Sequence, residues 1–105
     1  MSRNSFRERC VSRDGGECIV PTCDREVTPS PDGPGEVHHI MERKLWEDGG
    51  YFPANGASVC NPHHRMAEDN IIPPQAFWRW ADVENPVVPV DNEDGYIDVD
   101  KWGKE

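Results

Sequence analysis

Residues 36–46 read "EVHHIMERKLW", with Val37 and Ile40 flanking a histidine pair, His38 and His39. In a strand, adjacent side chains point to opposite faces; at a strand end or in a loop they can converge on one site. A second pair, His63 and His64, lies downstream in "VCNPHH", residues 59–64. Asn61 can cap a helix there, Pro62 suits its first position, and "HHRMAED" contains no breaker. Neighbours on a helix are turned about 100° apart, so His63 and His64 face different ways. A helix pressed against a hairpin would bring His64 to His38 and His39. Two of the three could then hold a divalent metal and the third act as a base. Imidazole suits that role because its reference pKa is about 6.5.

The cysteines give His63 a separate task. Cys18 and Cys23 bracket four residues, and Cys60 and His63 bracket two. Structural zinc takes four sulfur or nitrogen ligands, often as two local pairs. Three cysteines and one histidine would satisfy it and tie an N-terminal loop to the central helix. The competing readings are buried thiols beside a surface histidine, or a disulfide. Cys10 sits on the apolar stripe of a first helix as a small buried hydrophobe, or replaces His63 as fourth ligand. Only 35% of residues are hydrophobic, and ten prolines and nine glycines interrupt them. A thin core of that kind calls for a metal, disulfides or a partner, and zinc contributes about 10 kcal/mol or more to small modules.

No long apolar run crosses a membrane, and "MSRNSFRERC" lacks the apolar stretch of a secretory signal. The expectation is a cytoplasmic protein in a reducing compartment, where paired cysteines more often hold metal than form disulfides. The net charge is -9. Residues 1–65 hold ten acidic and eight basic groups; residues 66–105 hold ten acidic and three basic. That balance argues against a non-specific nucleic-acid binder. A local basic footprint survives at Arg3, Arg7, Arg9 and Arg13.

Around these motifs, Ser5 and Glu8 have capping-box spacing, and Phe6, Cys10 and Val11 give one apolar stripe for a helix over 6–13. "REVT", residues 25–28, reads as a short strand that pairs with "EVHHI" in a hairpin, its tip the turn-rich "PSPDGPG". "ERKLWED", residues 42–48, suits a helical turn, and "QAFWRWA" a last short helix. Phe77 and Trp80 lie three apart while Trp78 points elsewhere, so the three rings are not expected to share one core face; packing under the tail is preferred to a partner interface. One domain is expected over residues 1–84. An acidic, Pro- and Val-containing extension follows over 85–105, with Tyr96, Ile97 and Trp102 as anchors.

The order Cys-x4-Cys, "VHHI", "GG", Asn55, "VCNPHH" resembles the HNH endonuclease family over about residues 6–70, with its motif core at 18–70. The resemblance implies a small α+β fold, zinc-stabilised, with a ββα-metal (His-Me finger) core, flanking short helices and an extended acidic tail. It also implies a metal-dependent endonuclease that hydrolyses DNA phosphodiesters. By the same resemblance His39 is the general base, and Asn55 fixes the loop and that histidine's orientation. His38 and His64 bind the catalytic metal, and Cys18, Cys23, Cys60 and His63 form the zinc knuckle. The last knuckle ligand is usually cysteine, so His63 departs from the pattern. In the implied mechanism His39 takes a proton from water and hydroxide attacks phosphorus in line. Charge on the phosphoryl oxygens and the leaving 3′-oxygen is stabilised at the divalent ion.

Glu68, four residues after His64, is a candidate third ligand, direct or through water, or a solvent-facing carboxylate. Arg65, Arg43 and Lys44 are candidate phosphate contacts, or solvated side chains. Imidazole tolerates magnesium, manganese, nickel or zinc as the catalytic ion. DNA is the expected partner, with a protein of a DNA-processing complex as a further one, as for small phage enzymes of this type. Monomer and homodimer are both open. The alternative function is a non-catalytic, zinc-stabilised module that binds nucleic acid or protein, or an adaptor in such a complex.

Overall fold

In the computed structural model the first helix starts three residues earlier than its capping box suggests. Helix α1 spans Arg3–Arg13, and its cap is Ser2, whose hydroxyl accepts the Ser5 N–H at 3.1 Å. The described residues are 2–28, 30, 32–46 and 49–84. The acidic extension over 85–105, with its aromatic anchors, lies outside them. So do Glu47 and Asp48 of the expected helical turn and Pro29 and Pro31 of the expected hairpin tip.

Phe6, Cys10 and Val11 form the buried stripe of α1. They lie on strand β2 (Gly56–Val59), which is buried at all four positions. Gly56 makes that approach possible, since a Cβ there would collide with Cys10 Sγ and stand 2.7 Å from the Phe6 ring. Arg13 locks the far end of the helix. It donates to the Pro53 carbonyl at 2.8 Å and the Gly56 carbonyl at 2.7 Å, while paired with Asp14. Burying a ring such as Phe6 contributes roughly 1.5–3 kcal/mol.

Strand β1 (Glu36–His39) pairs antiparallel with β2, in the register Glu36↔Val59, Val37↔Ser58, His38↔Ala57, His39↔Gly56. The expected hairpin between "REVT" and "EVHHI" is therefore replaced by a longer-range pairing. "REVT" contributes only an isolated bridge, Glu17↔Glu26. The reason is burial: "REVT" hides Val27 but leaves Arg25 and Glu26 exposed, whereas "GASV" is hidden throughout and offers β1 a core-facing partner.

A 3₁₀ turn at Arg43–Leu45 stands where the helical turn was expected, and a second covers Pro53–Asn55. Helix α2 (Asn61–Glu68) follows β2 directly, with Cys60 rather than Asn61 as the cap residue. The resulting order, β1, β2, α2, is a ββα unit, and α1 closes one side of it. Helix α3 (Pro74–Trp80) contributes the fully buried Phe77 to the core. Trp78 is buried as well, as packing rather than a partner interface requires, and the tail expected over it lies outside the described residues. Beyond the helix the chain turns back, the Val83 N–H donating to the Trp78 carbonyl at 2.8 Å and Val83 packing on the core, so more than one face of α3 is covered. Among the described residues the fold is small and α+β: a two-stranded sheet, three α-helices and a cluster of three cysteines and one histidine. Among the described residues no helix is long and apolar enough to cross a membrane.

Candidate metal centres

The start of α2 gathers the first cluster. Cys60 caps the helix and His63 occupies its first turn, so both point toward the loop that carries Cys18 and Cys23. That loop is pinned to the sheet by the Ile19 N–H, which donates to the Ser58 carbonyl at 2.8 Å. The four ligand atoms all lie within 4.8 Å of one another. His63 Nδ1 stands 3.1 Å from Cys60 Sγ and 3.4 Å from Cys18 Sγ, and Cys23 Sγ is 3.9 Å from Cys60 Sγ. Thiolates bound to zinc at about 2.3 Å in a tetrahedron stand roughly 3.8 Å apart, so the sulfur separation fits. All four cysteines are free thiols, and Cys10 is buried away from this group. Burial pushes the Cys18 thiol up, whereas backbone hydrogen bonding at Arg25 pulls the Cys23 thiol down. A divalent cation among them would favour the thiolate at all three.

One residue further along α2 the second cluster begins. His64, turned about 100° from His63 on the helix, meets His38 of β1, with ring centroids 5.5 Å apart. Glu68, one helical turn on, brings Oε1 to 3.2 Å from His64 Nε2 and 3.4 Å from His38 Nδ1. Ligand atoms of the three residues again lie within 4.8 Å of one another. Two imidazole nitrogens and a carboxylate oxygen are a donor set for a divalent transition metal or magnesium. His38 is buried and packs on Phe77 at 5.2 Å, while Glu68 is exposed, so the group has a closed floor and an open mouth.

His39, on the other face of β1, is caged by two rings. Phe6 stacks on it at 5.0 Å and Tyr51 meets it edge-on at 4.9 Å. Burial, then the neighbouring His38 and Arg43, lower its pKa to about 4, so the ring is neutral at pH 7. It makes a hydrogen bond to the Gly49 backbone. Its Nε2 is buried with no partner among the described residues, which leaves that atom to accept a proton.

Asn55 reaches this ring only indirectly. Its side chain is buried, with Oδ1 accepting the Met41 N–H at 2.9 Å and Nδ2 donating to the carbonyls of Met41 and Gly50, each at 3.2 Å. It therefore clamps Met41 to Gly50, and Gly49, next to Gly50, holds His39. Gly50 has φ +65° and its hydrogen side faces Trp46 and the Asn55 amide, so a Cβ there would be both strained and crowded.

His38, His39, His64 and Glu68 share a cleft of about 310 Å³, lined by residues of α1, β1, α2 and, after β1, Glu42, Arg43 and Tyr51. Of the expected phosphate contacts, Arg43 lines it; Lys44 and Arg65 are exposed and do not. Among the other lining residues, which spacing did not single out as site residues, are Arg3, Phe6, Arg7 and Tyr51. The basic footprint on the first ten residues was a signal for the two arginines; nothing local marks Tyr51.

Comparison of the chain with family models, with curated proteins and with solved structures returns no match. The sheet-and-helix arrangement with its Cys3His cluster is consistent with a His-Me finger fold. In chemical terms the chain carries two sets of metal-ligating side chains: one suggests a structural zinc site, and the other can chelate a divalent ion.

Proposed function

We propose that this chain is a metal-dependent endonuclease of the HNH type, hydrolysing phosphodiester bonds in DNA with His39 as general base. The observation that carries the reading is the meeting of the neutral, caged His39 with the His38–His64–Glu68 group in one cleft. Cys18, Cys23, Cys60 and His63 would hold a structural zinc that fixes the start of α2. His38, His64 and Glu68 would hold the hydrolytic ion. Bound there, such an ion supplies Lewis-acid stabilisation of charge on the phosphoryl and leaving oxygens.

The chain's own residues do the rest. With one ring nitrogen engaged by Gly49, His39 takes the water proton on Nε2 as the oxygen attacks phosphorus. A pKa near 4 keeps His39 neutral but makes it a weak base; a phosphate anion beside it raises that value toward neutrality, where a base works best. Asn55 holds the loop that orients the ring.

A second reading asks less of the chain: a non-catalytic, zinc-stabilised module that binds nucleic acid or protein. It is favoured by the charge of the cleft, whose lining holds as many carboxylates, Glu36, Glu42 and Glu68, as arginines, Arg3, Arg7 and Arg43. Without an ion at the second cluster that wall attracts phosphate weakly.

Plasmid cleavage across magnesium, manganese, nickel and zinc separates the two readings. The endonuclease reading expects metal-dependent cutting that drops about 10²–10⁴-fold in His39→Ala. A His39→Ala chain cutting at the parental rate removes the base assignment, and no cutting in any ion leaves the second reading.

A further inference from the structure

We propose that Arg3, Arg43 and Tyr51 form a second anion site, a clamp for the DNA backbone phosphate next to the one being cut; that placement rests on the endonuclease reading, though the clamp itself does not. The Tyr51 hydroxyl accepts hydrogen bonds from two guanidinium groups, Arg3 Nη2 at 3.2 Å and Arg43 Nη1 at 3.5 Å. Arg3 also lies over the Tyr51 ring, 5.9 Å from its centroid. The two arginines come from distant parts of the chain, the first turn of α1 and the 3₁₀ turn after β1.

Their pairing differs from that of neighbouring arginines. Arg7 is matched by the Glu36 carboxylate at 3.8 Å and Arg13 by Asp14 at 2.7 Å. Arg3 and Arg43 instead converge on a neutral phenol. Two cations drawn to one uncharged acceptor repel each other, and an anion between them relieves the repulsion. A guanidinium carries five N–H donors in a planar fork that matches the oxygens of a phosphate, and the bond to the phenol uses one. The phenol sets the forks in place before any ligand arrives, which reduces the ordering cost of binding. Both guanidiniums also pull the phenol's pKa down, the Arg3 hydrogen bond most strongly.

The clamp is not isolated from the chemistry. Tyr51 meets His39 edge-on at 4.9 Å, and Arg3, Arg43, Tyr51, His39, His64 and Glu68 line one cleft. A ligand with repeating phosphates can fill the clamp and the metal-facing position together. Free phosphate can fill only one at a time. That favours a polynucleotide strand over a small anion.

The test uses the full zinc-loaded chain in a His39→Gln background, which is expected to suppress cutting of the probe. Binding of a fluorescein-labelled DNA duplex is followed by anisotropy over a salt series, with inorganic phosphate as a competing ligand in a second arm. The double change Arg3→Gln with Arg43→Gln is expected to lower the slope of log K against log salt by about 0.9, the value for one lost phosphate contact, and each single change by less. Tyr51→Phe keeps the ring against His39 and the charge count, so it should weaken binding several-fold while leaving the slope in place. An unchanged slope in the double arginine variant, or no duplex binding by the parent, overturns the clamp. Inorganic phosphate binding the clamp as tightly as the duplex overturns its assignment to nucleic acid. If the slope falls as expected while plasmid stays uncut in every metal, the clamp stands and the endonuclease reading fails.

Discussion

The two ligand clusters lie one residue apart on α2, yet they are built differently. His63 faces a group of sulfur ligands in which Cys18 and Cys60 are buried, joining an N-terminal loop to a helix start. His64 faces an imidazole and a carboxylate at the mouth of a cleft, with Glu68 exposed. Sulfur-rich, closed sites hold zinc for stability, whereas nitrogen and oxygen sites with an open position leave room for a substrate. The 100° turn between successive helical residues lets one helix serve both. Adjacent histidines can thus be assigned to different tasks by asking what each one faces.

If that contrast is right, breaking the first cluster should cost the fold. Cys60→Ala removes a sulfur ligand at the helix start. The zinc-binding energy at stake, about 10 kcal/mol or more, equals or exceeds the whole stability of a typical small domain. The expected outcome is a chain without bound zinc and without a cooperative melting transition, read by metal analysis and circular dichroism. A folded, zinc-free Cys60→Ala chain would erase the distinction.

His64→Ala should do the opposite. Zinc content and melting temperature should hold, while manganese affinity and any plasmid cleavage fall about a hundredfold or more, since even groups that only support a metal ligand cost 10- to 100-fold. Parallel calorimetry and melting curves check it.

Asn55→Ala should lie between the two. Removing the buried amide leaves the Met41 N–H and carbonyl without that partner, a loss of about 1–3 kcal/mol, while the Gly50 carbonyl keeps the Phe52 N–H at 3.0 Å. Denaturant titration should show that loss with zinc retained, and cleavage should fall because the loop holding His39 loosens.

The smallest effect concerns Cys10. Burial raises its thiol pKa from 9.0 to about 11. A thiol kept neutral in the folded state contributes stability that is fully present below pH 9 and declines as pH rises toward 11. The decline over that window should be shallower in Cys10→Ala, measured by denaturant titration at matched pH.

What could be read from the sequence was what depends on short spacing. Cys18-x4-Cys23 and Cys60-x2-His63 each bring two ligands together through local geometry. Pro62 marks a helix start, so the divergence of His63 and His64 followed from helical rotation alone. Pairing of β1 was less legible, because "REVT" and "GASV" are both plausible partners until the packing of α1 on Gly56 decides which is buried. What covers Trp78 was not legible for a related reason: a second covered face of α3 depends on the chain turning back at Val83. Asn55 was visible as a motif residue, but its bonds to Met41 and Gly50 needed the loop's path. The contact of Arg3 with Tyr51 depends on the direction in which α1 crosses the sheet, which no local pattern encodes.

The most direct test of two unlike metal sites on one helix is a cobalt(II) titration of the chain after its metal is removed under reducing conditions. The account predicts two phases. The first equivalent should bring intense thiolate-to-cobalt absorption and recovery of helical structure. The second should add only weak bands and disappear in His64→Ala. A single phase, or a His64→Ala chain that also loses the thiolate bands, would contradict it.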